Sequence, residues 1–158
     1  MMRWAVSAVL LLMLAAPAWA GYEEGLAAFK RGDYATALRE FRLAARQGDA
    51  SAQYFLGSMY YSGRGAPKDY AESVKWHRKA AEQGYANAQN NLGTMYDKGW
   101  GVPQDYVQAH KWYNLAVSSL PPGKDHDRAT KNRDNIAKRM TPAQIVEAQR
   151  LAREWKPK

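Results

Sequence analysis

The side chains in this sequence that are best suited to acid–base or metal chemistry are its three histidines, because the chain contains no cysteine. His77 and His110 each fall on the apolar side of a predicted helix. A catalytic histidine needs an orienting partner and a substrate within hydrogen-bonding reach, and the neighbouring residues indicate neither. The pattern favours packing roles for both histidines, and we predict no catalytic residue.

His126 could take part in different chemistry, since it stands between Asp125 and Asp127 and all three are metal-ligand types. Three adjacent polar residues at the start of a predicted helix more often cap the helix and complement its dipole. We therefore predict no metal site and no cofactor.

Two glycine pairs, Gly63 with Gly65 and Gly99 with Gly101, have the composition of a loop that holds phosphate. Phosphate loops follow a strand, precede a helix and carry Lys-Ser or Lys-Thr, whereas these glycines separate two helical patterns and carry neither dipeptide. The motifs of zinc hydrolases and of serine nucleophiles are also missing from the sequence. The residues therefore predict a protein that is not an enzyme.

The glycine pairs belong to an internal repeat with a period of 36 residues. Residues 54–70 and 90–106 are identical at nine of seventeen positions, and the dipeptide Asp-Tyr occurs at residues 33–34, 69–70 and 105–106. A stacking unit must repeat the residues that shape its turns and its contacts with neighbours, whereas catalytic loops are seldom duplicated at a fixed interval. The repeat predicts a binding scaffold.

Each unit is predicted to form two helices, A and B, on either side of the glycine loop. Apolar residues lie three or four positions apart over residues 52–60 for helix A and 70–81 for helix B, as on one face of an α-helix. Gly57 and Gly93 fall inside helix A, where glycine costs about 1 kcal/mol relative to alanine. We expect a neighbouring helix to approach the backbone closely at both glycines.

Polar residues and glycines predict where the B helices begin and end. Asp69 is followed three positions later by Glu72, which indicates a capping box. Gly48 and Gly84, one period apart, indicate left-handed C-terminal caps. Four aromatic residues are expected to fill the gaps between successive helix pairs: Tyr60, Trp76, Tyr96 and Trp112.

The pattern Ala-Gln-x-x-Leu-Gly-x-x-Tyr, then Gly-x-Gly-x-Pro-x-Asp-Tyr, then Trp and Ala-Ala-Glu-Gln-Gly resembles the Sel-one-like repeat (SLR) family, a relative of the tetratricopeptide repeat. Residues 49–84 and 85–119 form two such units. Residues 21–48 resemble a plain tetratricopeptide unit that lacks four residues of the interhelical loop. The resemblance implies an all-α, right-handed α/α superhelix of antiparallel helix pairs that serves as an adaptor for protein or peptide partners.

In superhelices of this kind helix A lines the inner wall of a groove. The residues expected on that wall change from aromatic to polar along the chain: Tyr22, Phe29, Tyr54, Ser58, Tyr61, Asn90, Thr94 and Asp97. We expect the aromatic residues to contact apolar side chains of an extended peptide, and Asn90 and Asp97 to hold its backbone or a basic group. For Phe29 the alternative, packing beneath the N-terminus, stays open.

Residues 120–158 end the repeat and are predicted to form two capping helices, because an open solenoid end exposes apolar surface. Thr141, Pro142 and Gln144 indicate the start of the second helix. This segment has ten Lys/Arg against five Asp/Glu (net +5), whereas residues 21–119 have twelve against ten (net +2). Its basic outer face either attracts an anionic envelope surface or only keeps the protein soluble.

The first twenty residues are predicted to be a secretory signal peptide. Arg3 precedes an apolar run over residues 5–16, and Ala18-Trp19-Ala20 is a small-x-small cleavage pattern. The run is shorter than the roughly 20 residues that a membrane span needs. We expect cleavage near Ala20 and a periplasmic or secreted location, which argues against a nucleic-acid partner.

These observations leave different functions open. The first is an exported adaptor that binds an envelope protein or peptide in the helix A groove. The second is a cell-envelope module that binds anionic glycan or lipid through the basic C-terminal helices. A weak cell-wall or β-lactam hydrolase is a distant alternative, because the family's cysteine-rich branch, associated with β-lactam hydrolysis, does not match this cysteine-free chain. The oligomeric state is not predicted.

Overall fold

The computed structural model describes residues 18–158, so most of the predicted signal peptide lies outside the described residues. Within this range the chain forms α-helices and no strand. The helices are α1 (Ala18–Lys30), α2 (Tyr34–Arg46), α3 (Ala50–Ser62), α4 (Tyr70–Glu82), α5 (Ala86–Lys98), α6 (Tyr106–Ser119), α7 (Lys124–Ala137) and α8 (Pro142–Glu154). The predicted all-α class is confirmed.

The helices pair in chain order and the pairs stack on one another. α1 packs with α2, α3 with α4 and α5 with α6, while α2 against α3 and α4 against α5 join successive pairs. Contacts that run mainly between neighbours in the chain are typical of a solenoid. The fold is therefore the predicted all-α repeat superhelix. Residues 31–33 connect the first pair, whereas residues 63–69 and 99–105 connect the other two, so the first loop is four residues shorter.

The mid-helix glycines lie directly beneath ring side chains of the paired B helix. A Cβ added at Gly57 would lie 3.0 Å from the His77 ring, and one added at Gly93 would lie 2.8 Å from the Tyr113 ring. Phe41 occupies the same place over the first unit. The expected close approach is confirmed, because any side chain larger than hydrogen would separate the two helices of a pair.

Aspartates begin the B helices. The side chains of Asp33, Asp69 and Asp105 each accept a hydrogen bond from the backbone amide three residues ahead. The complete capping box predicted at Asp69 is wrong, because the Asp69 amide donates instead to the carbonyl of Tyr60, at 2.9 Å. Glu72 is therefore free to accept a hydrogen bond from the indole of Trp76.

Glycines end the first two B helices, as predicted. Gly48 and Gly84 have left-handed φ values of +97° and +91°. The amide after each glycine returns to the helix, from Asp49 to the carbonyl of Ala44 and from Tyr85 to that of Ala80. This hydrogen bonding is the Schellman motif, which satisfies carbonyls that the helix end would otherwise leave unpaired.

The second glycine of each loop touches the preceding unit. A Cβ at Gly65 would lie 2.6 Å from the carbonyl oxygen of Tyr34, and one at Gly101 would overlap the carbonyl oxygen of Tyr70. Each loop therefore packs on the start of the previous unit's B helix. The glycine loops are structural joints between units as well as turns within them.

Two repeated arginine–tyrosine bonds join successive units. Arg42 donates to the hydroxyl of Tyr60 at 2.7 Å, and Arg78 donates to that of Tyr96 at 3.0 Å, one period later. The tyrosine rings lie between the stacked pairs, as expected, and the two tryptophans expected there are buried.

The buried glutamine of each SLR motif ties helix A to the B helix before it. Nε2 of Gln53 donates to the carbonyl of Ala45, and Nε2 of Gln89 donates to that of Ala81. Both glutamines are buried, and a buried amide without a partner would cost about 1–3 kcal/mol. This bond gives a physical reason for the Ala-Gln pair in the repeat.

The last two helices cover the end of the repeat. α7 and α8 both pack on α6, and α7 also contacts α5. Thr141 and Gln144 form a complete capping box at the start of α8, and the Trp155 ring lies 6.3 Å from that of Trp112. The structure thus shows the predicted pair of capping helices. No helix in the described range has the length and apolar character needed to cross a membrane.

Candidate functional site

The candidate functional site is the surface formed by α1, α3 and α5, the A helices of the three units. The sequence places eight residues on it, here called the groove residues: Tyr22, Phe29, Tyr54, Ser58, Tyr61, Asn90, Thr94 and Asp97. The surroundings of these residues differ from unit to unit, because different elements cover them.

The groove residues of α1 belong to an aromatic cluster. The rings of Tyr22 and Phe29 lie 6.0 Å and 5.8 Å from that of Phe55, and Phe29 also lies 5.3 Å from Tyr34. Both side chains are half-buried. Internal packing of Phe29 is therefore observed, and a role in binding for Tyr22 or Phe29 stays a prediction.

The second unit, α3, carries the most exposed groove residue. Tyr61 is 38% exposed, and its ring lies 5.6 Å from that of Tyr70 and 5.7 Å from that of Trp100. Tyr54 and Ser58 are half-buried, and the Ser58 hydroxyl donates to the carbonyl of Tyr54. This part of the groove offers an aromatic surface beside a hydroxyl group.

In the third unit the C-terminal cap covers two of the groove residues of α5, Asn90 and Asp97. Asn90 is only 3% exposed, and its Oδ1 accepts a hydrogen bond from Asn132 at 3.1 Å. The carboxylate of Asp97 already pairs with Arg139 at 2.9 Å. The prediction that Asn90 lies open to a peptide is wrong, because α7 docks on α5 and α6 and closes this end of the groove.

A cavity of about 140 Å³ lies between α3 and α5, next to α4. Its lining residues are Ser58, Tyr61, His77, Asn91, Thr94 and Met95. Ser58, Tyr61 and Thr94 are groove residues, so the structure brings three of the eight together around one cavity. The hydroxyl of Tyr113 donates to Thr94 at 3.1 Å.

His77 is the most deeply buried polar residue of this cavity. It is 1% exposed, and its Nδ1 makes no hydrogen bond within the described residues. Burial lowers the pKa of His77 to about 3, so the ring is neutral at pH 7, with one donor and one acceptor nitrogen. Its packing position is confirmed, and its pKa is far from the range in which a histidine acts well as a general base.

The other two histidines offer no catalytic arrangement. His110 is buried, and burial, together with the nearby charge of Arg133, lowers its pKa. Nδ1 of His126 lies 3.6 Å from Asp127 on the exposed side of α7. Among residues 18–158 no group of three or more potential ligands could hold a metal ion.

Sequence reasoning missed the contacts of two loop residues, Arg64 and Trp100. The Arg64 guanidinium lies 5.5 Å from the centroid of the Tyr34 ring, and the Trp100 ring stacks on Tyr70 at 5.4 Å with an interplanar angle of 8°. The period of 36 residues aligns Arg64 with Trp100 and Tyr34 with Tyr70. That register was the available signal, since aligned residues of a solenoid take equivalent positions.

The stacked pairs and their groove define this chain as an α/α repeat scaffold. The Sel1 repeat model matches residues 12–49, 50–85 and 86–119, so the chain belongs to the Sel1 repeat family. The first match begins inside the predicted signal peptide and includes the short-looped first unit. Sel1 repeats are generally non-enzymatic scaffolds for protein–protein interactions, and a protein-binding repeat module is the function class that the family supports.

Two solved structures show the same fold. One is a protective antigen of uropathogenic Escherichia coli strains that displays an SLR fold, with 34% identity and a TM-score of 0.81; the match covers 89% of this chain and 30% of that chain. The other is a Sel1 repeat protein from Oxalobacter formigenes, with 35% identity and a TM-score of 0.65 over 75% of this chain and 88% of that one. The chain thus spans about a third of the first protein's length. The comparison with curated proteins found no match.

Proposed function

We propose that this protein is an exported adaptor that binds an envelope protein or peptide in the open stretch of its helix A groove. The observation that carries the proposal is Tyr61, which is exposed at the mouth of the cavity and packed beside Tyr70 and Trp100. Exposed aromatic residues beside a concave polar site are the kind of surface that anchors protein partners.

The covering elements limit where a partner can bind. The aromatic cluster occupies the first unit. In the third unit Asn132 of α7 covers Asn90, and Arg139, just after α7, pairs with Asp97. The remaining open surface lies on α3 and the facing side of α5, around Tyr54, Ser58 and Tyr61. A short segment of a partner fits this stretch better than a long extended peptide.

Export rests on the first twenty residues. Cleavage after Ala20 would remove the first three residues of α1 and leave Gly21 as the new N-terminus. The mature chain isolated from cell fractions should therefore begin at Gly21 and accumulate outside the cytoplasm. N-terminal sequencing of that material tests this, and a chain that keeps its first twenty residues in the cytoplasmic fraction contradicts it.

The binding proposal is tested by crosslinking the purified protein to envelope extracts. Wild type is compared with the double variant Tyr54→Ala/Tyr61→Ala, which should lose the crosslinked partner. Leu43→Ala is the matched control, because Leu43 is 50% exposed on α2, outside the groove. Tyr54 also packs against the His77 ring, so circular dichroism must show that the double variant is folded. The single variant Tyr61→Ala leaves that packing in place and should also lose the crosslinked partner.

The same assay separates groove binding from charge-driven binding. Groove binding through aromatic rings should change little between low and high salt, whereas attraction between charges weakens strongly. A partner that stays bound to the folded double variant rules out binding in the groove.

A second candidate function is binding of anionic glycan or lipid by the C-terminal helices. Lys124 and Lys131 of α7 and Lys138, which directly follows it, are exposed and seven residues apart, which favours this function. However, Arg128, Arg133, Arg139, Arg150 and Lys158 all pair with carboxylates. Those ion pairs reduce the positive electrostatic potential of the C-terminal segment, so we place this function second. No observation in the described residues favours the hydrolase alternative.

A further inference from the structure

The junction between the first two units shows how this protein fills the space between adjacent A helices. The rings of Phe41 and Phe55 stack there with centroids 5.1 Å apart and planes 14° apart. Leu26 and Phe29 of α1 pack against the same cluster. Four large apolar side chains thus close the first junction.

The second junction has a different set of residues at the same positions. His77 lies over Gly57 as Phe41 lies over Gly25, and Asn91 stands one period after Phe55. Ser58 replaces Leu26, because the shorter first loop makes the offset on helix A 32 residues. Smaller polar side chains therefore replace three of the four large apolar ones, while Tyr61 takes the place of Phe29. The cavity is the space that the three smaller side chains leave.

The size of the cavity matches an aromatic ring. Its volume of about 140 Å³ is close to that of an engineered protein cavity of about 150 Å³ that binds benzene. The first junction holds the Phe55 ring at the corresponding place, stacked on Phe41. A ring inserted into the second junction would likewise stack on the His77 imidazole.

The cavity lining has a hydroxyl oxygen, that of Ser58, that is free to accept a hydrogen bond from a ligand. The Ser58 hydroxyl uses its hydrogen on the Tyr54 carbonyl, so its oxygen can only accept. Its counterpart one period later, Thr94, accepts from the phenol of Tyr113, which is itself the counterpart of His77. The chain thus satisfies the Thr94 hydroxyl with a phenol and leaves Ser58 without one.

The charge of the lining excludes ionic ligands. None of the six lining residues carries a charge at pH 7, since burial keeps His77 neutral. The nearby carboxylate of Asp97 is paired with Arg139 and Lys98. A carboxylate, phosphate or ammonium group in this cavity would lose its hydration without gaining an opposite charge.

We propose that the cavity at His77 and Asn91 is a pocket for one tyrosine side chain of the bound protein or peptide, with the ring stacked on His77 and the phenol donating to Ser58. This inference rests on the proposed function, because it specifies which side chain of the partner binds in the groove.

The probe for this pocket is p-cresol, the side-chain analogue of tyrosine, in a titration followed by the NMR signals of the His77 ring. We expect p-cresol to shift those signals with a saturable isotherm. Toluene, which lacks the donor, should bind about tenfold more weakly, and 4-methylbenzoate should not bind. No saturable shift with p-cresol, or equal affinity for toluene, overturns the proposal.

Two substitutions of one residue provide the matched control. Asn91→Phe restores the residue of the first junction and should fill the pocket, so that p-cresol no longer binds to a protein that remains folded. Asn91→Ala removes side-chain volume and should keep p-cresol binding. Equal binding by wild type and the folded Asn91→Phe variant shows that the probe sits elsewhere and overturns the proposal.

The outcomes for the pocket and for the proposed function are distinguishable. If the pocket inference fails, p-cresol does not bind while the crosslinked partner is still lost in the folded Tyr61→Ala variant. If the groove function fails, that variant keeps the partner although p-cresol still shifts the His77 signals in wild type. If both hold, Asn91→Phe loses the partner and the probe together, and Asn91→Ala keeps both.

Discussion

Arg139, which follows α7 in the C-terminal cap, lies over the ring of Tyr106 with its guanidinium carbon 4.4 Å from the ring centroid. Tyr106 is the third of the Asp-Tyr tyrosines, and Arg64 covers the first of them, Tyr34, at 5.5 Å. Trp100 covers the second. For the first two tyrosines the covering side chain comes from the glycine loop of the following unit. For Tyr106 it comes from the C-terminal cap, which lies outside the repeat.

We expect Arg139→Ala to loosen α7 from the third unit. The change removes the cation–π contact with Tyr106, the hydrogen bond to its hydroxyl and the ion pair with Asp97. Each of these exposed contacts contributes at most about 1 kcal/mol, so a loss of about 1–2 kcal/mol in unfolding free energy is expected. Urea unfolding and amide exchange along α7 measure it.

The control for that prediction is Arg153→Ala, on the exposed side of α8. Its effect should stay within about 0.5 kcal/mol, as for most surface substitutions. Equal effects of the two changes, or unaltered exchange along α7 in Arg139→Ala, would show that Arg139 does not hold the cap.

We expect His77→Phe to fold and to be at least as stable as wild type at pH 7. The first unit has phenylalanine at the equivalent place, where Phe41 lies over Gly25 as His77 lies over Gly57. The change also removes a buried ring whose Nδ1 has no partner in the described residues, a defect that costs about 1–3 kcal/mol. Urea unfolding measures the difference, and a loss of more than about 1 kcal/mol would contradict this account of the site.

The unfolding free energy should fall in acid because of His77. Its pKa is about 3 in the folded protein, against 6.5 ordinarily, because burial disfavours the charged ring. Between these values the unfolded chain binds a proton that the folded chain does not, so stability rises with pH, by up to about 1.4 kcal/mol per unit. The contribution is fully present above about pH 6.5 and is lost as the pH falls toward 3.

Comparison with His77→Phe isolates this titration. His110, whose pKa burial also lowers, remains in both proteins and affects both equally. Urea unfolding at several pH values from about 4 to 7 should show a shallower dependence in the variant. Parallel curves for the two proteins would mean that His77 titrates normally in the folded state.

The two glycines of the second loop should differ in their tolerance of alanine. Gly99 and Gly101 both have left-handed φ values, +69° and +72°, so each change carries a backbone cost of about 1–2 kcal/mol. A Cβ at Gly99 meets nothing closer than 3.5 Å, whereas one at Gly101 overlaps the carbonyl oxygen of Tyr70. Gly101→Ala should therefore cost clearly more than Gly99→Ala in urea unfolding, and equal costs would argue against the contact between units.

The spacing of the sequence was enough to predict the helices and their order. Residues that recur every 36 positions, such as Asp69 and Asp105, cap the same helix in each unit because local hydrogen bonding is the same wherever the motif occurs. Gly57 and Gly93 likewise mark where a ring must approach the backbone. These are properties of one unit and its neighbour in the chain, so the period reveals them.

The groove was predicted less completely, because its exposure depends on elements far away in the sequence. Asn90 aligns with Tyr54 by the period, yet Asn132, 42 residues further along, covers it. The helical pattern of α7 indicates that it packs somewhere, but an amphipathic pattern does not specify the surface on which a helix docks. Two of the eight groove residues, Asn90 and Asp97, pair with the C-terminal cap through Asn132 and Arg139. The binding roles of the other six stay predictions.

The sequence by itself determined an all-α repeat of the Sel1 type, the joints between its helices and the places where its units stack, because each depends on residues close together in the chain. Only the tertiary structure decided that α7 closes one end of the groove, that Arg139 covers Tyr106, the third Asp-Tyr tyrosine, and that His77 and Asn91 leave a ring-sized space between α3 and α5. The physical reason is that a cavity is the difference between the space that stacked helices enclose and the volume of the side chains within it. That difference exists only once several separate segments have been packed together.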